Sequence, residues 1–132
     1  MTIRNLDRLF QPRSVAVIGA SPRPGSLGNL VMRNLVAGGF PGSLYPINPR
    51  HQRIEGRAAY PSVSELPESP DLAVICTPPA SIPGLIKDLG VKGTRAAIVL
   101  TAGLSDQVGE SGKTLQAEML AQARPFLLRM LG

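Results

Sequence analysis

The sequence has no tryptophan, and three phenylalanines and two tyrosines bring the aromatic share to only 4%. Surfaces that stack nucleic-acid bases need rings interleaved with basic side chains, so this composition argues against a nucleic-acid partner. Cysteine is nearly absent as well. Cys76 stands alone, which excludes an internal disulfide, and it has no Cys or His at ligand spacing, which excludes a zinc knuckle. The longest apolar runs are strand-length, and the opening MTIRNLDRLF lacks the apolar region of a secretory signal. No membrane partner is expected, and the reading is of a soluble cytoplasmic chain. Low-complexity tracts are missing too. With 43% hydrophobic and 17% charged residues, the chain has the balance of a folded protein, and 132 residues suit one domain over 1–132.

Three continuous apolar runs are present: VAVIGA at 15–20, LAVIC at 72–76 and AAIVLT at 96–101. They are rich in Val and Ile and do not alternate, as suits strands covered on both faces of a parallel sheet. SLYPIN at 43–48 and FLLRML at 126–131 are weaker strand candidates. Between them lie helical patterns, with Leu27, Leu30, Val31 and Leu35 on one face and Ile82, Leu85, Ile86 and Leu89 on another. A third runs from about Gly112 to Arg124, placing Leu115, Met119 and Ala123 on one face before Pro125 stops it. The segment 49–70 is expected to be irregular, with a helical turn near Ser62 to Leu66. This alternation predicts an α/β fold, a Rossmann-like doubly wound sheet of five parallel strands in the order 3-2-1-4-5.

Ligands of such sheets bind beyond the carboxyl ends of the strands. After the first strand comes GASPRPGSLGN, with Gly19, Gly25 and Gly28 ahead of a helix, a setting suited to phosphate. The dinucleotide fingerprint G-x-G-x-x-G is not met, because Ser21 stands where its second glycine belongs and the loop is longer. After the second strand, NAD enzymes place an acidic residue on the ribose. Here stand Asn48, Pro49 and Arg50, followed by His51, Arg53 and Arg57, within a chain of net charge +5. Guanidinium groups pair with phosphate oxygens, so the pattern favours an adenosine ribose bearing an extra phosphate. NADP and coenzyme A both qualify.

After the third strand, CTPPAS stiffens the backbone with Pro78 and Pro79, and Ser81 is placed to cap the next helix. Cys76 lacks a His or Asp partner and reads as a small buried residue. After the fourth strand, Thr101, Ala102 and Gly103 offer a small-residue backbone to a ligand. The string Ser111 to Thr114 imitates a P-loop, but that motif needs glycine at position 107, where Gln107 stands. Lys113 is therefore read as a solvated residue in the first turns of a helix, and His51 as a surface group among arginines.

Taken together, VAVIGASPRPGSLGNLVMRNL, LYPINPR, DLAVICTPP and AAIVLTAGL resemble the N-terminal CoA-binding domain of NDP-forming acyl-CoA synthetases. The same domain opens the succinyl-CoA synthetase α subunit and certain multidomain protein acetyltransferases. The resemblance spans essentially the whole chain and implies coenzyme A as the ligand. It implies that Gly19, Ala20, Ser21, Pro22 and Gly28 line the nucleotide site, that Asn48, Pro49 and Arg50 meet the adenosine phosphates, and that Thr77, Pro78, Thr101, Ala102 and Gly103 lie along the CoA. Arg50 stands where relatives often carry lysine. The family's phosphorylated histidine and its ATP-grasp portion belong to other domains, so the resemblance implies CoA or acyl-CoA and further domains of the parent chain as partners. No catalytic residue and no metal site carry over, and the isolated chain is expected to bind without turnover. An NADP-binding oxidoreductase domain and a free-standing CoA-binding protein are the alternative readings.

Overall fold

The computed structural model describes residues 11–101, 104, 107–109, 113–126 and 128–131. Its centre is a parallel sheet built from β1 (Ser14–Ile18), β2 (Ser43–Ile47), β5 (Leu72–Ile75), β6 (Ala96–Val99) and β7 (Arg129–Leu131), in the order β2-β1-β5-β6-β7. Strands β3 (Arg53–Ile54) and β4 (Arg57–Ala58) form a separate antiparallel hairpin. Three α-helices are described: α1 (Leu27–Ala37), α2 (Ile82–Lys92) and α3 (Leu115–Ala123).

The Rossmann-like α/β class is as the sequence predicts. Strand β1, interior in the sheet, is buried along its whole length, so its apolar run has no solvent side on which to alternate. Odd and even residues part into two cores. Ala16, Ile18, Ala73, Ile75, Ala97 and Val99 face Ile82, Ile86 and Leu89 of α2 and Met119 and Ala123 of α3. Val15, Val17, Leu72, Val74 and Ala96 share the other core with Met32 of α1 and Ile54 of the hairpin. Each fully buried aliphatic side chain contributes about 1.5–3 kcal/mol, so the two cores together dominate stability.

The strand order corrects the expected 3-2-1-4-5. Counting the five sheet strands along the chain, the order is 2-1-3-4-5. In the expected order the third strand lies outside the second, reached by a helical crossover. Between Ile47 and Leu72 this chain has only the small hairpin and a 3-10 turn at Val63–Glu65. The outer edge of β2 is already occupied: Tyr60 N–H donates to the Pro46 carbonyl and the Asn48 N–H donates to the Tyr60 carbonyl, both at 2.9 Å. Pro46 itself has no N–H to offer a further strand, as befits an edge. The chain therefore crosses to the far side of β1, and the reversal of direction falls between β1 and β5.

Helix α1 also differs from its sequence pattern. Its buried residues are Gly28, Asn29 and Met32, while Leu27 and Leu30 are exposed and Val31 and Leu35 half-buried. A Cβ on Gly28 would overlap the Gly19 carbonyl oxygen, so the glycine face must turn inward for the helix to reach the strand end. The other two helices bury the expected residues, apart from Leu85, which is half-buried. Lys113 precedes α3, whose N-cap is Thr114, accepting from the Ala117 N–H at 3.1 Å.

Candidate functional site

The parallel strands run in register, Ile18 beside Ile47 and Ile75, and Ile75 beside Val99. The residues that follow them, Gly19, Asn48, Cys76 with Thr77, and Leu100 with Thr101, therefore stand in one row along the carboxyl edge. Because the order reverses between β1 and β5, the chain leaves this row by α1 toward one face and by α2 toward the other. A crevice opens at these strand ends, between the start of α2 and the segment 61–63.

Gly19 sits at the junction with φ +89°, a left-handed conformation that glycine adopts without strain. A Cβ there would come within 3.0 Å of Thr77 Cγ2 and 3.1 Å of the Cys76 carbonyl carbon, so the loops after β1 and β5 touch through backbone. Ser26 caps α1 by accepting from the Asn29 N–H at 3.2 Å. Ala20 is buried, Ser21 half-buried and Pro22 exposed.

Asn48 ties three segments together. Its Nδ2 donates to the Ala20 carbonyl at 2.8 Å, its Oδ1 accepts from the Arg50 N–H at 2.7 Å, and its own N–H holds Tyr60. The side-chain oxygen closes a local turn that leaves Pro49 and Arg50 exposed beyond the strand end. Ser81 stands at the N-cap of α2 but its hydroxyl does not cap the helix. It donates instead toward Thr77 Oγ1 at 2.9 Å and the Pro78 carbonyl at 2.6 Å. Thr101 Oγ1 donates to the Thr77 carbonyl at 2.6 Å, joining the third and fourth strand ends. Ala102 and Gly103 lie outside the described residues.

The crevice encloses about 240 Å³. Gly19, Asn48, Pro49 and Thr77 line it as expected, and Ser62, Ser81, Leu85 and Asp88 also line it, none of which the sequence pattern placed at a ligand site. Ser81 and Leu85 lie one helical turn apart at the start of α2, so a search of the first turns after each strand end would find them. Ser62 reaches the crevice only through the fold. A second cavity of about 300 Å³ lies between α3 and the ends of β6 and β7, with Thr101 on its wall. Among the described residues no group of three or more His, Cys, Asp or Glu is placed to hold a metal ion. Among them too, no helix is long and apolar enough to cross a membrane.

Burial pushes the Cys76 thiol up from its ordinary value near 9 to about 11. The thiolate is the nucleophile, so Cys76 is inert near neutral pH. Its alkylation by iodoacetamide is expected to reach half-maximal rate near pH 11 in the folded chain and near pH 9 in urea; equal profiles would contradict the burial. The folded form favours the neutral thiol, so this group's stabilising contribution is complete below pH 9 and is lost between pH 9 and 11.

Residues 13–132 match the family model described as the CoA binding domain. The chain belongs to that family. It is 39% identical over 132 residues to the α subunit of acetate–CoA ligase [ADP-forming] I of Pyrococcus furiosus, covering 97% of this chain and 28% of that one. It is 40% identical over 123 residues to a trans-feruloyl-CoA synthase from an unknown prokaryotic organism, covering 93% of this chain and 17% of that one. Among solved structures it resembles the dinucleotide forming acetyl-coenzyme A synthetase 1 of Ca. Korarchaeum cryptofilum in complex with phosphate and ADP. The TM-score is 0.87 at 39% identity, covering 96% of this chain and 27% of that one. The chain thus spans less than a third of the length of these relatives. The resemblance to acyl-CoA ligases read from the four strand-end motifs is borne out.

Proposed function

We propose that this domain binds coenzyme A along the row of strand ends, as the CoA-binding part of a longer NDP-forming acyl-CoA ligase. The observation that carries the reading is the crevice at the β1–β5 reversal, where Gly19, Asn48 and Thr77 meet with Arg50 just outside. Ligands of doubly wound sheets bind at this reversal point. In this reading the loop from Gly19 to Pro22, closed by Gly28, faces the nucleotide, and Asn48, Pro49 and Arg50 face its phosphates. From Thr77 and Pro78 the line of contacts continues to Thr101, Ala102 and Gly103. Relatives named for acetate and for a feruloyl group match the same domain, which supports a role in the shared thiol substrate rather than in selecting the acid. Phosphoryl transfer from the nucleotide and acyl transfer are assigned to other parts of the longer protein, and this chain alone binds without forming thioester.

Calorimetry with CoA, NADP and NAD tests the reading, CoA being expected to bind tightest. A charge-assisted hydrogen bond contributes about 1.5–3 kcal/mol, so Arg50→Ala should weaken CoA about tenfold or more. Tighter binding of NADP would overturn the proposal in favour of an oxidoreductase domain, and unchanged CoA affinity in Arg50→Ala would remove that residue from the site.

A further inference from the structure

Among the described residues one non-glycine has a left-handed backbone, Glu55 at φ 50°, followed by Gly56 at φ 76° in the turn of the β3–β4 hairpin. Left-handed conformations at both central positions suit Asn-Gly or Gly-Gly, and a glutamate there carries a conformational cost. Its carboxylate has a partner that offsets the cost. Glu55 Oε1 accepts at 2.9 Å from Nδ2 of Asn29, a side chain only 3% exposed in the first turn of α1. The same Nδ2 donates to the Ser21 carbonyl, also at 2.9 Å. One buried amide thus spends both its hydrogens joining the glycine-rich loop to the hairpin.

The hairpin is where the arginines lie. It carries Arg53, whose Nη2 donates to the Gly56 carbonyl at 2.8 Å, and Arg57, which is half-buried. Ile54 between them is buried in the core beside Met32. A carboxylate on the same hairpin as two arginines weakens their attraction for an anion unless its geometry returns more than its charge removes. We propose that Asn29 and Glu55 are positioning residues that latch the hairpin to the loop Gly19 to Gly28, so that Arg53 and Arg57 are held toward the phosphates bound at that loop. This rests on the CoA reading above. Asn48 grips the Ala20 carbonyl and Asn29 the Ser21 carbonyl, so two consecutive peptide oxygens are engaged by protein donors and turned away from an anion. The latch adds the hairpin to that same arrangement.

The test compares wild type, Glu55→Gln, which keeps an acceptor oxygen without the charge, and Glu55→Ala. Affinity for CoA is measured in each, and again in an Arg53→Ala/Arg57→Ala background. Glu55→Ala is expected to raise the Kd about fivefold, in line with the net contribution of one ordinary hydrogen bond, while Glu55→Gln stays within about twofold of wild type. In the double-arginine background Glu55→Ala should have no further effect. Equal loss in both backgrounds, or wild-type affinity in Glu55→Ala, would overturn the proposal. Hydrogen exchange of the ligand-free chain separates this from the CoA reading itself. The Ala59 N–H, bonded to the Gln52 carbonyl across the hairpin at 2.8 Å, should exchange faster in Glu55→Ala and not in Glu55→Gln. A wild-type chain that ignores CoA would refute the CoA reading, whereas unaltered exchange in Glu55→Ala would refute the latch whatever the ligand.

Discussion

Replacing Gly28 with alanine is expected to lower stability by about 3 kcal/mol, the upper part of the range for overpacking a close contact. In an exposed helix the same substitution gains roughly 1 kcal/mol, because alanine is the better helix former. Here the contact decides the sign. The added methyl would overlap the carbonyl oxygen of Gly19, and backbone cannot rotate aside as a side chain would. Helix α1 must lift from the end of β1, which pulls Asn29 from Ser21 and widens the crevice beside Thr77. The melting temperature should fall by roughly 10 °C, given the entropy of unfolding of a domain this size, and CoA binding should be lost with it. Thermal melts monitored by circular dichroism, with and without CoA, check both. Gly84→Ala makes the contrast: an added methyl there meets no atom within 4 Å, so in helix α2 the substitution should leave stability unchanged or raise it. A Gly28→Ala chain that melts like wild type would contradict the close packing.

The second large effect is expected at Asn48. Replacing it with leucine keeps the branched outline but removes the donor to the Ala20 carbonyl and the acceptor for the Arg50 N–H. Ala20 is fully buried, and a buried carbonyl left without a partner costs about 1–3 kcal/mol. Since the same residue positions Arg50 and the loop after β1, CoA affinity should drop more than tenfold, beyond the effect of Arg50→Ala alone. Asn48→Asp separates the roles, because it keeps the acceptor for Arg50, loses the donor to Ala20 and adds a charge that repels phosphate. Calorimetry should find Asn48→Asp at least as impaired as Asn48→Leu. Wild-type affinity in Asn48→Asp would show that the amide does not organise the site.

The elements of this fold were legible because each depends on its own stretch of chain. Runs such as VAVIGA and AAIVLT can be buried on both faces only in a covered sheet, and the helix faces Ile82–Ile86–Leu89 and Leu115–Met119–Ala123 carry their period in themselves. The strand-end loops were legible for a related reason: glycine, proline, asparagine and arginine cluster there, in a form that also identifies the family. What local pattern does not contain is which partner each segment meets. The place of the third sheet strand depends on Tyr60 closing the β2 edge, a contact 14 residues from Pro46. The rotation of α1 follows from Gly28 meeting Gly19, so Leu27 and Leu30 face outward although their spacing marks a buried stripe. The hairpin at Arg53–Ala58 is two residues per strand, too short for any periodicity, and is held by Ile54 in the core and Glu55 on Asn29. By itself the sequence determined the class of fold, the family and the loops that carry the chemistry. The tertiary structure alone decided the strand order, the crevice at the β1–β5 reversal and the contributions of Ser62 and Asp88 to its wall, because these depend on long-range contacts between surfaces that no single segment encodes.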